Sequence, residues 1–288
     1  MSEIPRPLTA ADRPADEEGR QYHIDLARSD LAEYVLLPGD PERIGLIVSQ
    51  LDSVELLRSH REFATVTGSY RGLRVSAVST GIGTDNVEIV IAEALAITDQ
   101  PTFIRVGSCG VLQPGIGLGD LVVTTAAIRL DATTGFYAHP AYPAVADYSA
   151  VAALMEASER LGRRAHPGVT ATSPGFFAPQ GRPVPRLPAT QPDIAEELRR
   201  QGVINFEMEA SAVLLLAALA GCRAGVVCTV FAQRATGEFI TAGARPQAEL
   251  DCVKVGLEAL LILSQMEEAV RLAGAAAWRP GLWGSQGA

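Results

Sequence analysis

Tyr34-Val35-Leu36-Leu37-Pro38-Gly39-Asp40-Pro41-Glu42-Arg43 reads as a buried strand, a sharp turn and the start of a helix. The apolar run stops at a proline, which has no N–H to extend a ladder. Gly39 lets the chain turn, and Asp-Pro-Glu suits a helix N-terminus. The same alternation runs outward. Glu62 to Ser69 and Leu73 to Ser79 alternate apolar and polar positions around Arg71-Gly72, which predicts a hairpin. Helical spacing predicts helices over Asn86–Ile97, Val151–Leu161, Ile194–Arg200, Met208–Ala220 and Gln247–Val270. Short apolar runs predict strands over Phe103–Val106, Leu121–Ala127, Gly168–Thr172 and Ala224–Val230. Strands alternating with helices predict an α/β fold, here a single-domain three-layer sandwich with a central mixed β-sheet flanked by helices. With no repeat and no internal linker, the domain is expected over 21–270. A flexible arm is expected over 1–20, and a tail over 271–288. Trp278 and Trp283 could dock the tail on a neighbour, but a mobile end is the expectation.

The bulk numbers exclude several functions. The chain has 288 residues, 48% of them hydrophobic, enough for a sizeable core. Its net charge is −9 and it has no long Lys/Arg run, which argues against nucleic acid and anionic membranes as partners. The longest apolar run, Ala210 to Cys222, is too short to span a bilayer, and residues 1–20 have no signal-peptide character. The four cysteines form no CxxC pair and the four histidines are scattered, so neither a metal centre nor a disulfide scaffold is expected. A reducing cytoplasm fits this usage.

Five segments could carry chemistry, each with a plainer reading beside it. At Gly39 to Arg43, free N–H groups and a guanidinium would favour an anion, though an ordinary turn with a surface arginine reads the same way. In Arg105-Val106-Gly107-Ser108-Cys109-Gly110 a charge lies inside an apolar strand. Arginine, open amides and a hydroxyl suit a phosphate dianion, while a structural ion pair would also account for Arg105. Ser79-Thr80-Gly81-Ile82-Gly83 ahead of a helix invites a dinucleotide reading, but Asn86 stands where the third glycine belongs, so a tight turn is the better account. Glu209 opens the most apolar helix, either as a cap or as a carboxylate for the vicinal hydroxyls of a sugar, with Met208 packing on the ring. Phe176 to Arg182 sets Gln180 two residues from Arg182. A carboxamide that donates and accepts suits an imide edge, although alone this is a polar loop.

The order and spacing of VLLPGDPERI (35–44), SHREF (59–63), STGIG (79–83), RVGSCG (105–110), GDLVVTTAAIRLD (119–131), YPAVADY (142–148), GVTATS (168–173) and NFEMEA (205–210) resemble the nucleoside phosphorylases of the hexameric type. Within that family the likeness is greatest to the uridine phosphorylases, and it runs from about Tyr22 to Leu263. The resemblance implies a pentosyltransferase that converts uridine and phosphate to uracil and ribose 1-phosphate. Gly39, Arg43, Arg105 and Ser108 would hold phosphate, joined by Arg61 from a neighbouring subunit. Phe176, Gln180 and Arg182 would hold the base, with Arg234 in support. Met208 and Glu209 would hold the ribose, with His23 from the partner on its 5′-hydroxyl. Arg105, Glu209 and Arg182 would carry catalysis. Phosphate is then a co-substrate, and no cofactor or metal is required. Some such enzymes place potassium at the dimer interface, where Glu62, Ile82 and Asn86 stand, Asn86 replacing a serine. A homo-oligomer with shared sites is implied.

Some residues depart from this pattern. Ser108-Cys109 resembles the purine branch, Phe206 replaces a tyrosine, and Pro183, Pro185 and Pro188 stiffen a shorter flap. The acid that would protonate a purine has no counterpart in Phe231 to Ala235, which favours a pyrimidine. The alternatives are a purine nucleoside phosphorylase, a nucleosidase using water, and a non-catalytic nucleoside-binding paralogue.

Overall fold

A computed structural model describes residues 10–282. In chain order the elements are β1 (Tyr34–Pro38), α1 (Arg43–Val48), β2 (Ser53–His60), β3 (Phe63–Tyr70), β4 (Leu73–Val78), α2 (Thr84–Ile97), β5 (Thr102–Val111), β6 (Leu121–Arg129) and β7 (Ala144–Val145). They continue with α3 (Tyr148–Arg160), β8 (Ala165–Thr172), α4 (Ile194–Arg200), β9 (Asn205–Glu207), α5 (Ala210–Leu219), β10 (Arg223–Gln233), β11 (Glu238–Phe239) and α6 (Arg245–Ala273). The strands form one mixed sheet. Half of it is open, in the order β5-β1-β4-β3-β2. The other half curls shut: β5 pairs with β10, β10 with β6, β6 with β8, β8 with β9, and β9 returns to β5.

Period-two alternation sorts the core into two layers. Val35 and Leu37 of β1 face α2 and α5, packing with Val90, Ile91 and Val213. Leu36 faces the other way, toward α1, α3 and α6, with Ile47, Leu154 and Leu260. Strands buried on both faces read as continuous apolar runs, which is why β1 and β5 are legible without alternation. The three-layer single-domain α/β expectation holds. The β3–β4 hairpin turns at Arg71 and Gly72, both with positive φ (48° and 82°), as a two-residue turn of primed type requires.

The two ends differ from expectation. Residues 1–9 of the expected arm lie outside the described residues, but its last part is folded. Ala15 bridges Gln21, and Asp16, 7% exposed, accepts the amide N–H groups of Glu18 and Arg20. The expected tail begins inside α6. Trp278 then packs on Tyr148, whose hydroxyl donates to the Trp278 carbonyl, and Leu282 is buried. Apolar burial thus docks the tail on its own domain where a mobile end was expected. Trp283 lies outside the described residues.

Candidate active site

Parallel strands β4, β1, β5 and β10 end on one side of the sheet, where a cavity of about 610 Å³ opens. Ligands of open α/β sheets bind at such carboxyl ends. The walls bring together Gly39 and Arg43 after β1, Arg105 and Ser108 from β5, Phe176, Gln180 and Arg182 from the flap, and Met208 and Glu209 before α5. All nine were singled out from sequence.

Arg105 is 3% exposed and anchors the cavity floor. Its Nε donates to Glu207 Oε2 at 3.1 Å and its Nη2 to Glu209 Oε2. The ion-pair reading is therefore realised, with two carboxylates as partners. Burial alone would depress the Arg105 pKa, but Glu209 and Glu207 more than offset it and hold the guanidinium charged. Its Nη1 is buried without a protein partner. That atom lies at Gly39, where an added Cβ would sit 3.6 Å from it. Arg43 is arranged alike. Nη1 donates to the Val106 carbonyl at 3.2 Å, Nη2 pairs with Glu249 at 3.3 Å, and Nε is buried and unpaired. Two buried guanidinium nitrogens without acceptors, both on residues that line the cavity, suit an oxyanion.

Glu209 does not cap α5. Glu207 does so, accepting the amides of Glu209 and Ala210 at 2.8 Å each, while Thr172 Oγ1 donates to its other oxygen at 2.6 Å. Freed from capping, Glu209 reaches Arg105 and accepts the Gly83 amide at 2.7 Å. Burial raises the Glu209 pKa above the ordinary carboxylate value, and Arg105 opposes the shift. Gly81 and Gly83 have φ of +69° and +97° and serve this turn, as the plainer reading held. Gly107 does not open the backbone to a ligand; its missing Cβ makes room for Arg105 Nη2 and Cys228 Sγ, each 2.9 Å from the Cβ position.

In the flap, Arg182 Nη1 donates to the Phe176 carbonyl and to Gln180 Oε1, and its guanidinium lies 3.9 Å from the Phe176 ring centre. Arg234 sits behind the wall and donates to the Gln180 carbonyl at 3.1 Å. Burial, then Arg234, pushes the Arg182 pKa down to about 10, which leaves it charged at neutral pH. Gln180 is buried, so Arg182 and Arg234 together hold it in the cavity wall.

Of the remaining expected residues, Glu62 and Ile82 also line the cavity, while His23, Arg61 and Asn86 do not. The His23 ring is held by Glu93 at 2.6 Å, and Arg61, with φ 54°, stacks over Tyr22. Glu62 and Asn86 meet around Gly81, whose added Cβ would lie 2.6 Å from Asn86 Nδ2 and 3.6 Å from Glu62 Cγ. Ile82 is 74% exposed beside them. The sequence reading missed Glu207 and Glu249.

A sequence model described as "Phosphorylase superfamily" matches residues 33–254. The chain belongs to the phosphorylase superfamily. It is 46% identical to a uridine phosphorylase of Thermococcus kodakarensis over 96% of this chain and 99% of that one. It is 38% identical to a uridine phosphorylase of Salmonella typhimurium, over 83% and 96%. A guanosine phosphorylase of Halorubrum lacusprofundi is 33% identical over 73% and 83%. Among solved structures, a Trypanosoma brucei nucleoside phosphorylase, described as showing uridine phosphorylase activity, superimposes with a TM-score of 0.82 at 27% identity. That match covers 87% of this chain and 99% of the other. Within this superfamily chain, no described helix is long and apolar enough to cross a membrane.

Proposed function

We propose that the protein is a uridine phosphorylase, a pentosyltransferase that cleaves the N-glycosidic bond of uridine with inorganic phosphate. The observation that carries this reading is the pair of unpartnered guanidinium nitrogens, Arg43 Nε and Arg105 Nη1, in the cavity that also holds Glu209 and Gln180. Phosphate sits at Gly39 and Ser108 with its charge against both arginines. Glu209 accepts from the ribose hydroxyls and Met208 packs on the ring. Gln180 and Arg182 read the uracil carbonyls and imide, Phe176 lies on the base, and Arg234 braces the wall. As the C1′–N1 bond breaks, its electron pair leaves on uracil and the ribose becomes oxocarbenium-like. A phosphate oxygen forms the new bond at C1′, and uracil N1 is protonated after release. Arg182 stabilises the departing anion, and positioned charge does the rest of the work. No metal or redox step enters.

On this reading the working unit is a homo-oligomer, a hexamer by family likeness, with His23 and Arg61 completing a partner's site. The carboxylate of Glu62, the carbonyl of Ile82 and the carboxamide of Asn86 are hard oxygen donors that would suit potassium there. A cytoplasmic role in pyrimidine salvage follows from the same reading. The test is product analysis with uridine, inosine and adenosine, with and without phosphate. Uracil and ribose 1-phosphate should form only with phosphate, and uridine should lead by a wide margin, because a buried imide-reading site leaves polar groups unmatched against a purine. Equal turnover without phosphate would replace phosphorolysis by hydrolysis. Comparable rates for inosine and uridine would promote the purine alternative.

A further inference from the structure

We infer that Glu249 of α6 is a positioning residue for the phosphate subsite, acting through Arg43. The inference rests on reading the cavity as a phosphate site and adds to it a residue from the far end of the chain. Arg43 is 6% exposed and its guanidinium is held by two acceptors: the Val106 carbonyl takes Nη1 and Glu249 Oε1 takes Nη2. Only Nε is left without a partner. A guanidinium is a planar fork, so fixing its two Nη ends fixes the direction of the Nε–H. Without Glu249 the fork could rotate about its last bonds, and side-chain entropy would then oppose phosphate capture.

The carboxylate is itself firmly placed. Glu249, Cys252 and Gly256 are spaced three and seven residues along α6, which puts them on one helix face. That face lies across the main chain of β5. Cys252 Sγ donates to the Gly107 carbonyl at 3.7 Å, and a Cβ on Gly256 would meet Val106 Cγ1 at 2.4 Å. Val106 is also the residue whose carbonyl holds Arg43. One helix face thus sets both the strand that carries the phosphate loop and the carboxylate that aims the arginine. The 13% exposure of Glu249 keeps the pair partly dry, where a charge-assisted contact is worth more than at an open surface.

The experiment titrates inorganic phosphate calorimetrically into the full-length wild type, Glu249→Ala, Glu249→Gln, Arg43→Ala and the double alanine variant. Initial rates are measured with uridine and phosphate each varied. Glu249→Ala should weaken phosphate binding and raise its KM about tenfold, leaving the uridine KM within about twofold. Glu249→Gln keeps an oxygen for Nη2 without the charge and should cost about threefold, which preserves the test if the alanine variant does not fold. In the Arg43→Ala background the Glu249 change should cause no further loss, as two residues acting as one unit require. Unchanged or tighter phosphate binding in the Glu249 variants, or a loss that adds to that of Arg43→Ala, overturns the inference and leaves the phosphorylase reading intact. A wild type that binds no phosphate overturns both.

Discussion

Arg105 shows how one residue joins stability to chemistry. It lies between the buried carboxylates of Glu207 and Glu209 and keeps Nη1, with both its N–H groups, for the cavity. A buried charge costs several kcal/mol unless paired, so the trio holds together only as a set. Arg105→Ala should cost about 2–4 kcal/mol in kcat/KM and about 3–5 kcal/mol in folding stability near neutral pH. The folding deficit has a sign in pH. Burial already raises Glu209, and removing its arginine lifts that carboxyl further. A carboxyl whose folded pKa exceeds its unfolded value binds its proton more tightly in the native state. Its penalty is absent below the unfolded pKa and grows as pH rises through the folded one. Urea unfolding of wild type and variant from about pH 5 to about pH 8 should therefore show the gap widening with pH. A gap that narrows as pH rises would mean that Glu209 is not the group left uncompensated.

At the scale of elements, the strands and helices that carry the site were largely legible, because each pairs an apolar run with a turn signal. Arg105 drew attention as a charge inside an apolar strand, and Glu209 as an acid at the mouth of an apolar helix. Glu207 was hidden two residues away, and only the backbone shows that it takes the capping role that one of the two readings gave Glu209. Glu249 was illegible, since a lone acid in a long helix reads as a solvated face and its partner lies 206 positions away. The edge strand β2 was missed because its outer residues are mostly exposed and carry no core-facing apolar stripe. α6 was read as a helix, but its register was not. That register depends on Gly256, which fits against Val106 and Leu36 with no space for a methyl group. Gly256→Ala gains about 1 kcal/mol of helix propensity and should still destabilise the fold by about 1–3 kcal/mol, because buried β-branched Val106 has little rotamer freedom to yield. Denaturant midpoints would measure this, and a stabilised variant would show that α6 can move.

At the scale of the whole molecule, charge argues for a shared site. The cavity lining sets four arginines, Arg43, Arg105, Arg182 and Arg245, against five acids, Asp40, Glu62, Glu207, Glu209 and Glu249, before any phosphate arrives. A dianion entering that balance needs further positive charge. Arg61 can supply it only from another copy, since in its own chain it stacks over Tyr22 outside the cavity wall. His23 is held outside likewise, with its ring and amide both on Glu93. A two-fold axis lets each subunit complete the other's site reciprocally. Co-expressing Arg61→Ala with Glu209→Ala tests this directly. In a mixed dimer one site carries both defects and the other carries neither, so random pairing should restore about a quarter of wild-type sites. The two homodimers, each inactive alone, set the baseline, and tagged subunits establish that the mixed oligomer forms. Recovery near a quarter is the expected outcome. No recovery would place Arg61 in its own subunit's site or outside the site altogether, and the further positive charge would then have to come from Arg245 or from protonation of a cavity carboxylate.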